Sequence, residues 1–416
     1  MTTSAESTAE STAETTAETT AAGAPRALEG VTVLDFTQVY MGPSCTQMLA
    51  DYGAEVIKVE RPVWGDLSRN SLPDPAGQEN PIFISINRNK RSVTIDTRTE
   101  TGREVVLDLV RRSDVVVSNF RSGVMERMGF GYDALKEVNP TIVWASGTGF
   151  GETGPYAHKG GQDVIAQAYS GVMWRRSDDT VPLSVYPTTL ADYTTGMHLC
   201  QGILLALIAR DRTGEGQKVQ VNMYDSMLHM QMQEAATQLN RGHEVNWAAM
   251  PLSGVFPTTD GAVCMVGAFK ENPLRDISKA LELDEDWSTK PGFDTLEGQF
   301  ERRPELQALF RERFATDTTA HWVERLEAVD ILCAPVRSLV EALADEQTAA
   351  NGMVVDMEHP HGGTMRVLNA PIRLSATPNA ARRPAPMLGE HNAEVLRELG
   401  YDEERVAALL ADGVIR

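Results

Sequence analysis

The stretch Val31–Pro62, VTVLDFTQVYMGPSCTQMLADYGAEVIKVERP, constrains the fold more than any other part of the chain. It reads as a strand, a helix and a second strand in about thirty residues, the repeating unit of a parallel sheet. VTVLDF is β-branched and apolar, Pro43 stands where a first helical residue would, and Gly53 follows as the stop. EVIKVE is then the second strand. In such sheets a ligand docks beyond the carboxyl ends of the strands, which points to the loop Thr37–Gly42. That loop has no G-x-G-x-x-G, which counts against a dinucleotide-binding oxidoreductase.

The pattern continues as the strand-like runs SVTID, VVVSNF and TIVWAS, with helical periodicity over Thr101–Arg112, Tyr132–Val138 and Val164–Tyr169. The fold class is therefore α/β, a large domain with a mostly parallel, Rossmann-like sheet. A strand KVQVNM and a helix over Tyr224–Leu239 lead to SGVFPTTDGAVCMVGAF, a hairpin about Asp260-Gly261 that opens a smaller α+β domain. The expected organisation is a disordered tail at residues 1–25, where STAE-type repeats leave nothing to bury, and a large domain over 26–225. A linker helix at 226–250, a small domain at 251–330 and a return to the large domain at 331–416 complete it.

With 416 residues the chain can bury a substantial core without staples. Its formal charge of -20 argues against a nucleic-acid partner. The longest apolar run, GILLALIA, falls well short of the roughly eighteen residues of a membrane span, so no membrane partner is expected. Cys45, Cys200, Cys264 and Cys333 are scattered without metal or disulfide spacing, and the amino terminus lacks a secretion signal. Both fit the cytoplasm. His158, His198 and His229 also lack ligand spacing, so no metal site is expected.

Several segments in order carry a specific resemblance: LDFTQVYMGPSCTQMLADYGAEVIKVERP followed by Gly65-Asp66, NKRSVTID, VVVSNFRSGVMERMGF, GFGETGPYA, LADYTTGMHLCQGILLAL, RTGEGQKVQVNMYDSML and LGEHNAEVLRELGY. Together they resemble family III CoA-transferases (the CaiB/BaiF family), the group containing formyl-CoA transferase, over nearly everything after residue 26. The resemblance implies an enzyme that moves CoA from an acyl-CoA donor to a small carboxylic acid. It implies two interlocked protomers, and no permanently bound cofactor, coenzyme A entering as part of the substrate.

Asp192 is the leading catalytic candidate. It precedes the helical run YTTGMHLCQGILLALIAR, where a helix dipole favours an ionised carboxylate. Residue type alone favours an ordinary helix cap; the match of LADYTTGMHL to the family segment with the nucleophilic aspartate is what assigns catalysis. The implied course is attack by Asp192 on the acyl-CoA, a mixed anhydride, then an enzyme–CoA thioester.

The same matching implies CoA contacts at Arg61 near the phosphates, Ile95, Asp96, Thr97 and Arg98 along the adenosine, and Asn119, Phe120, Arg121 and Arg127 after the next strand. Guanidinium groups suit phosphates, and in an acidic chain they must create a local positive patch. Tyr40 and Met41 flank the acyl group, and Gln162 and Asp163 face the pantetheine end, where Gly160 replaces the lysine of formyl-CoA transferase. Tyr40 itself departs from that enzyme's glutamine, and no segment between Leu239 and Leu283 reproduces its glycine-rich lid. The run Gly147, Gly149, Gly151, Gly154 reads as a crossing loop rather than a phosphate cradle, because Pro155 interrupts it.

An α-methylacyl-CoA racemase is the nearest rival, but it resembles G-H-D where this chain has Gly161-Gln162-Asp163, and glutamine cannot transfer a proton. A non-catalytic CoA-binding protein would keep the arginines and need no carboxylate at position 192.

Overall fold

The computed structural model describes residues 25–72, 80–358 and 363–416. The tail expected at 1–25 lies, apart from Pro25, outside the described residues.

The opening block builds the first two strands of a six-stranded sheet: β1 Thr32–Asp35, β2 Glu55–Glu60, β3 Lys90–Thr94, β4 Val115–Ser118, β5 Val143–Thr148 and β6 Lys218–Asn222. Their spatial order is β3-β2-β1-β4-β5-β6, and each pairing is parallel. The central strands β1 and β4 are hydrophobic at consecutive positions because both faces are covered. Leu34, Ile57, Val116 and Trp144 pack on one side against the helix Glu100–Arg111, while Val33, Val56, Val117 and Val143 pack on the other against the helices Met41–Asp51 and Leu190–Thr213. Chain order reverses between β1 and β4, which opens a crevice at their carboxyl ends.

The helix after β1 begins at Met41, two residues earlier than its proline suggests. Pro43 is the third helical residue, and its missing N–H falls among the first four amides, which have no intrahelical partner in any case. Gly53 follows the helix with φ 109°, as its stop role requires.

The free edge of β3 is covered from far along the chain. His391 donates its backbone N–H to the Ser92 carbonyl, the Asn392 side chain accepts from the Thr94 amide at 2.8 Å, and the Val414 carbonyl accepts from Asp96 at 2.8 Å. Arg91 reinforces this with ion pairs to Glu394 and Glu398 at 2.9 and 2.7 Å.

The predicted hairpin is present as β7 Ser253–Pro257 and β8 Ala262–Val266, over a core of Phe256, Phe310, Phe314 and Trp322. Two boundaries differ from expectation. The segment ILCAP does not return to the parallel sheet; Leu332–Pro335 forms β9 and pairs antiparallel with Val263–Val266, so the small unit passes residue 330. The expected linker helix is two helices, Met223–Met230 and Met232–Arg241, parted at Gln231, and it begins before residue 226. A last hairpin, β10 Val354–Glu358 and β11 Thr364–Leu368, stands as its own two-stranded sheet.

Candidate active site

The loop leaving β1 is fixed by buried charges beneath it. Asp35 accepts from the Thr37 amide and hydroxyl at 2.8 and 2.5 Å and from the Thr46 hydroxyl at 2.7 Å. Fully buried Lys90 donates to Asp35, to the Pro43 carbonyl, to Thr46 and to Asn87 at 2.8–3.1 Å. Burial alone would push the Asp35 carboxyl up, but Lys90, Lys58 and the two hydroxyls outweigh it and bring it to about 2. Equally buried Lys58 donates to the Thr37 carbonyl at 2.7 Å and pairs with Asp66 at 2.8 Å. The strand ends therefore carry a rigid platform for Gln38–Met41.

Asp192 is the third residue of the long helix Leu190–Thr213. One turn on, Gly196 lies where that helix crosses the first: a Cβ there would come within 2.5 Å of the Met41 carbonyl oxygen. Residues four apart share a helix face, so Asp192 stands on the face turned to Tyr40 and Met41. Its side chain is only 9% exposed, and among the described residues none donates a hydrogen bond to its carboxylate. Burial, with the Asp163 carboxylate beside it, pushes its pKa up to about 7. This reverses the expectation from the helix dipole: desolvation and a like charge outweigh a terminus effect of about 1 kcal/mol.

Asp163 turns its carboxylate to protein donors and does not line the cavity. One carboxylate oxygen accepts from the Ala191 and Asp192 amides at 2.6 and 2.9 Å, and the other from the Gln167 side chain at 2.7 Å. It caps the long helix from outside and sets the backbone of Asp192. The helical cap anticipated at Asp192 is thus supplied by Asp163.

Tyr40, Met41, Asn119, Phe120, Arg121, Gln162 and Asp192 come together around one cavity of about 370 Å³ at the switch point of the sheet. The glycine-rich segment forms a wall of it by a backbone crossing, since a Cβ on Gly161 would lie 2.3 Å from the Gly149 Cα. Arg121 reaches across to Gly160, where a Cβ would come within 2.6 Å of its Nη2. The Asn119 side chain is bonded to the loop: it accepts from the Gln38 amide at 2.8 Å and donates to the Gln38 carbonyl at 2.7 Å.

The remaining expected CoA residues lie outside this cavity. Arg61 follows β2 and is exposed, and Arg127 is exposed beside Gly123. Ile95 is buried in the core under β3, which leaves only its backbone for a ligand. Arg98 is exposed but paired with Asp96 at 2.7 Å, and Thr97 lies between them. β3, β2, β1 and β4 are parallel neighbours, so these segments share one edge of the sheet in that order.

The family described as CoA-transferase family III matches residues 28–392. The chain belongs to CoA-transferase family III. The transferase is 36% identical to an acyl-CoA transferase of Fusarium pseudograminearum, over 95% of this chain and 90% of that protein. It is also 36% identical to the formyl-CoA:oxalate CoA-transferase of Streptomyces coelicolor, over 94% of this chain and 99% of that one. Among solved structures, a CaiB/BaiF family protein from Brucella suis superposes with a TM-score of 0.80 at 32% identity, covering 90% of this chain and 99% of that chain.

Sequence reasoning missed part of the transferase's cavity: Phe150, Lys159 and Met223 also line it. Lys159 lies over the Tyr156 and Tyr169 rings at 4.2 and 4.9 Å and donates to the Tyr169 hydroxyl at 2.6 Å. The available signal was its place one residue before Gly160, where the family resemblance implies a lysine. No helix among the described residues is long and apolar enough to cross a membrane.

Proposed function

We propose that the transferase moves CoA from an acyl-CoA donor to a carboxylic acid acceptor with Asp192 as nucleophile. The observation that carries this reading is a buried carboxylate with no donor among the described residues, lining the cavity at the strand ends. Such a group is desolvated and directed at incoming substrate. Asp192 attacks the thioester carbonyl; the carbon–sulfur bond breaks, CoA thiolate leaves, and an acyl-aspartyl anhydride remains. The thiolate then attacks the aspartyl carbonyl, releasing the donor acid and leaving an enzyme–CoA thioester. The acceptor carboxylate attacks that thioester to give a second anhydride, and the returning thiolate takes the acceptor acyl group, regenerating Asp192. Oxyanions formed on the way need donors, and the first helix, which opens at Met41 without a side-chain cap, supports amide stabilisation from that side.

Arg61, Arg121 and the segment Ile95–Arg98 extend the site along the sheet edge as the CoA side. Tyr40 lines the cavity with no hydrogen-bond partner for its hydroxyl among the described residues, which supports a contact to the acyl carbonyl or acceptor carboxylate. No histidine lines the cavity among the described residues and His158 is exposed, so the racemase reading lacks its acid–base pair. A homodimer completes the proposal, supported by large exposed apolar residues such as Leu239 and Phe269, at 84% and 80% exposure.

The test is acyl exchange across a panel of formyl-, acetyl-, succinyl- and benzoyl-CoA donors with short dicarboxylic, hydroxy and aromatic acids. Asp192→Ala should abolish turnover, and hydroxylamine with acyl-CoA alone should leave a hydroxamate that mass spectrometry maps to Asp192. Retained turnover in the variant would remove Asp192 as nucleophile.

A further inference from the structure

Val39 is in the left-handed region, with φ 69°. For a β-branched residue that conformation is a genuine outlier, and Val39 is 43% exposed, so packing does not impose it. What imposes it is a set of side chains that hold consecutive backbone groups. Asn119 closes both polar groups of Gln38, as an adjacent strand would. Asp66 accepts the Val39 amide at 2.9 Å and is itself fixed by the Ser68 amide and hydroxyl, both at 2.8 Å. Behind them, Lys58 ties Asp66 to the Thr37 carbonyl. The next two residues, Tyr40 and Met41, line the cavity with Asp192.

Strain of this kind persists only where the surroundings over-determine it, and it gathers where geometry matters to chemistry. We propose that Asp66 and Asn119 are positioning residues for the transfer reaction: they hold Gln38 and Val39 in the strained turn that sets Tyr40 and Met41 beside Asp192. Asp66 lies outside the cavity, and Asn119, in its wall, makes both of its observed bonds to Gln38. Asp66, the partner of Lys58, thereby has a role at the loop, and Asn119 holds Gln38 from the cavity wall. The proposal rests on the reading of Asp192 as nucleophile for its kinetic consequence, but the clamp itself is a property of the free protein.

Two measurements on the full-length chain test it. Asp66→Ala and Asn119→Ala are each expected to lower kcat by about 10- to 100-fold, the scale of a misplacement near one ångström, with KM for acyl-CoA changed less than about threefold. Asp66→Asn keeps the oxygen that accepts from Val39 but turns an amide donor toward the Lys58 ammonium, so its rate should fall between those of wild type and Asp66→Ala. In the Asp66→Ala background, Val39→Gly should recover about threefold or more, because glycine adopts a positive φ without strain. Hydrogen exchange of the unliganded protein, followed on the peptide containing Gln38 and Val39, should accelerate at least about tenfold in both alanine variants. If Asp66→Ala does not fold, Asn119→Ala, which leaves the Lys58 pair intact, decides the matter. Unchanged exchange at that peptide, a loss appearing wholly in KM, or a kcat loss that Val39→Gly leaves unrepaired overturns the clamp. A wild type that turns over no pair of the panel refutes the function above, while the exchange measurement still decides the clamp.

Discussion

Replacing Asp192 by asparagine should make the protein more stable, and by an amount that grows with pH. Raising the carboxyl from its ordinary 3.8 to about 7 means that the folded state prefers the protonated form. Between those two values the native chain binds more protons than the unfolded one, so unfolding free energy falls as pH rises through this window. At about 1.4 kcal/mol per tenfold change in proton affinity, the deficit reaches roughly 4 kcal/mol at pH 8 and roughly 2 kcal/mol at pH 5. Asparagine keeps the shape and never ionises. Urea titrations of wild type and Asp192→Asn at pH 5 and pH 8 should therefore show the variant more stable at both, with the gap about twice as large at pH 8. Activity should run the other way: wild-type kcat/KM rises through about pH 7 as the nucleophile ionises, and the variant is inactive. A stability gap that is the same at both pH values, or a destabilised variant, would refute the claim that a buried, like-charged carboxylate is held here at a cost.

Three further outcomes follow from the geometry. Gly161→Ala drives a methyl into the Gly149 backbone and should cost about 1–3 kcal/mol, seen as a lower melting temperature with reduced turnover; an unchanged melt would mean that the crossing loop yields freely. Lys90→Met removes the ammonium from four acceptors and leaves Asp35 charged in the core, so denaturant unfolding at pH 7 should register a loss of about 3–5 kcal/mol. Tyr40→Phe should leave the fold intact and lower kcat/KM by about tenfold, the worth of one hydrogen bond of roughly 1.5 kcal/mol; identical kinetics and acceptor preference would reduce Tyr40 to packing.

The sheet was legible because its apolar runs and breakers are local. Val31–Pro62 contains both strands and the stop at Gly53, and the structure differs only in where the helix starts. The site was legible in a different way. Nothing in the residue types distinguishes Asp192 from a cap; that came from resemblance, and the cap turned out to be Asp163, 29 positions earlier. The same limit hid the clamp, since Asn119 reaches Gln38 across 81 positions and Asp66 reaches Val39 across 27. An arginine, asparagine or aspartate after a strand reads as a ligand contact until the fold shows which backbone group it serves. The ionisation of Asp192 was misjudged for a related reason: the dipole is visible in a helix pattern, whereas burial and a neighbouring charge are properties of the assembled core. β9 lies beyond the boundary expected at residue 330, because ILCAP has strand character without any mark of its partner.

The covering of β3 by residues His391 to Val414 bears on how the protein is made. Its hydrogen bonds close loops of nearly 300 residues, such as the 298 between Thr94 and Asn392, and contacts so distant form late in folding. Until they form, the parallel sheet presents an open strand edge, the kind of template on which chains join to one another. Emerging amino-terminal segments could build β1 through β6 and still be one edge short of a safe surface during synthesis. The strand-end cavity would then exist, in outline, on an aggregation-prone intermediate, and the segment that removes the hazard is supplied by the far end of the chain.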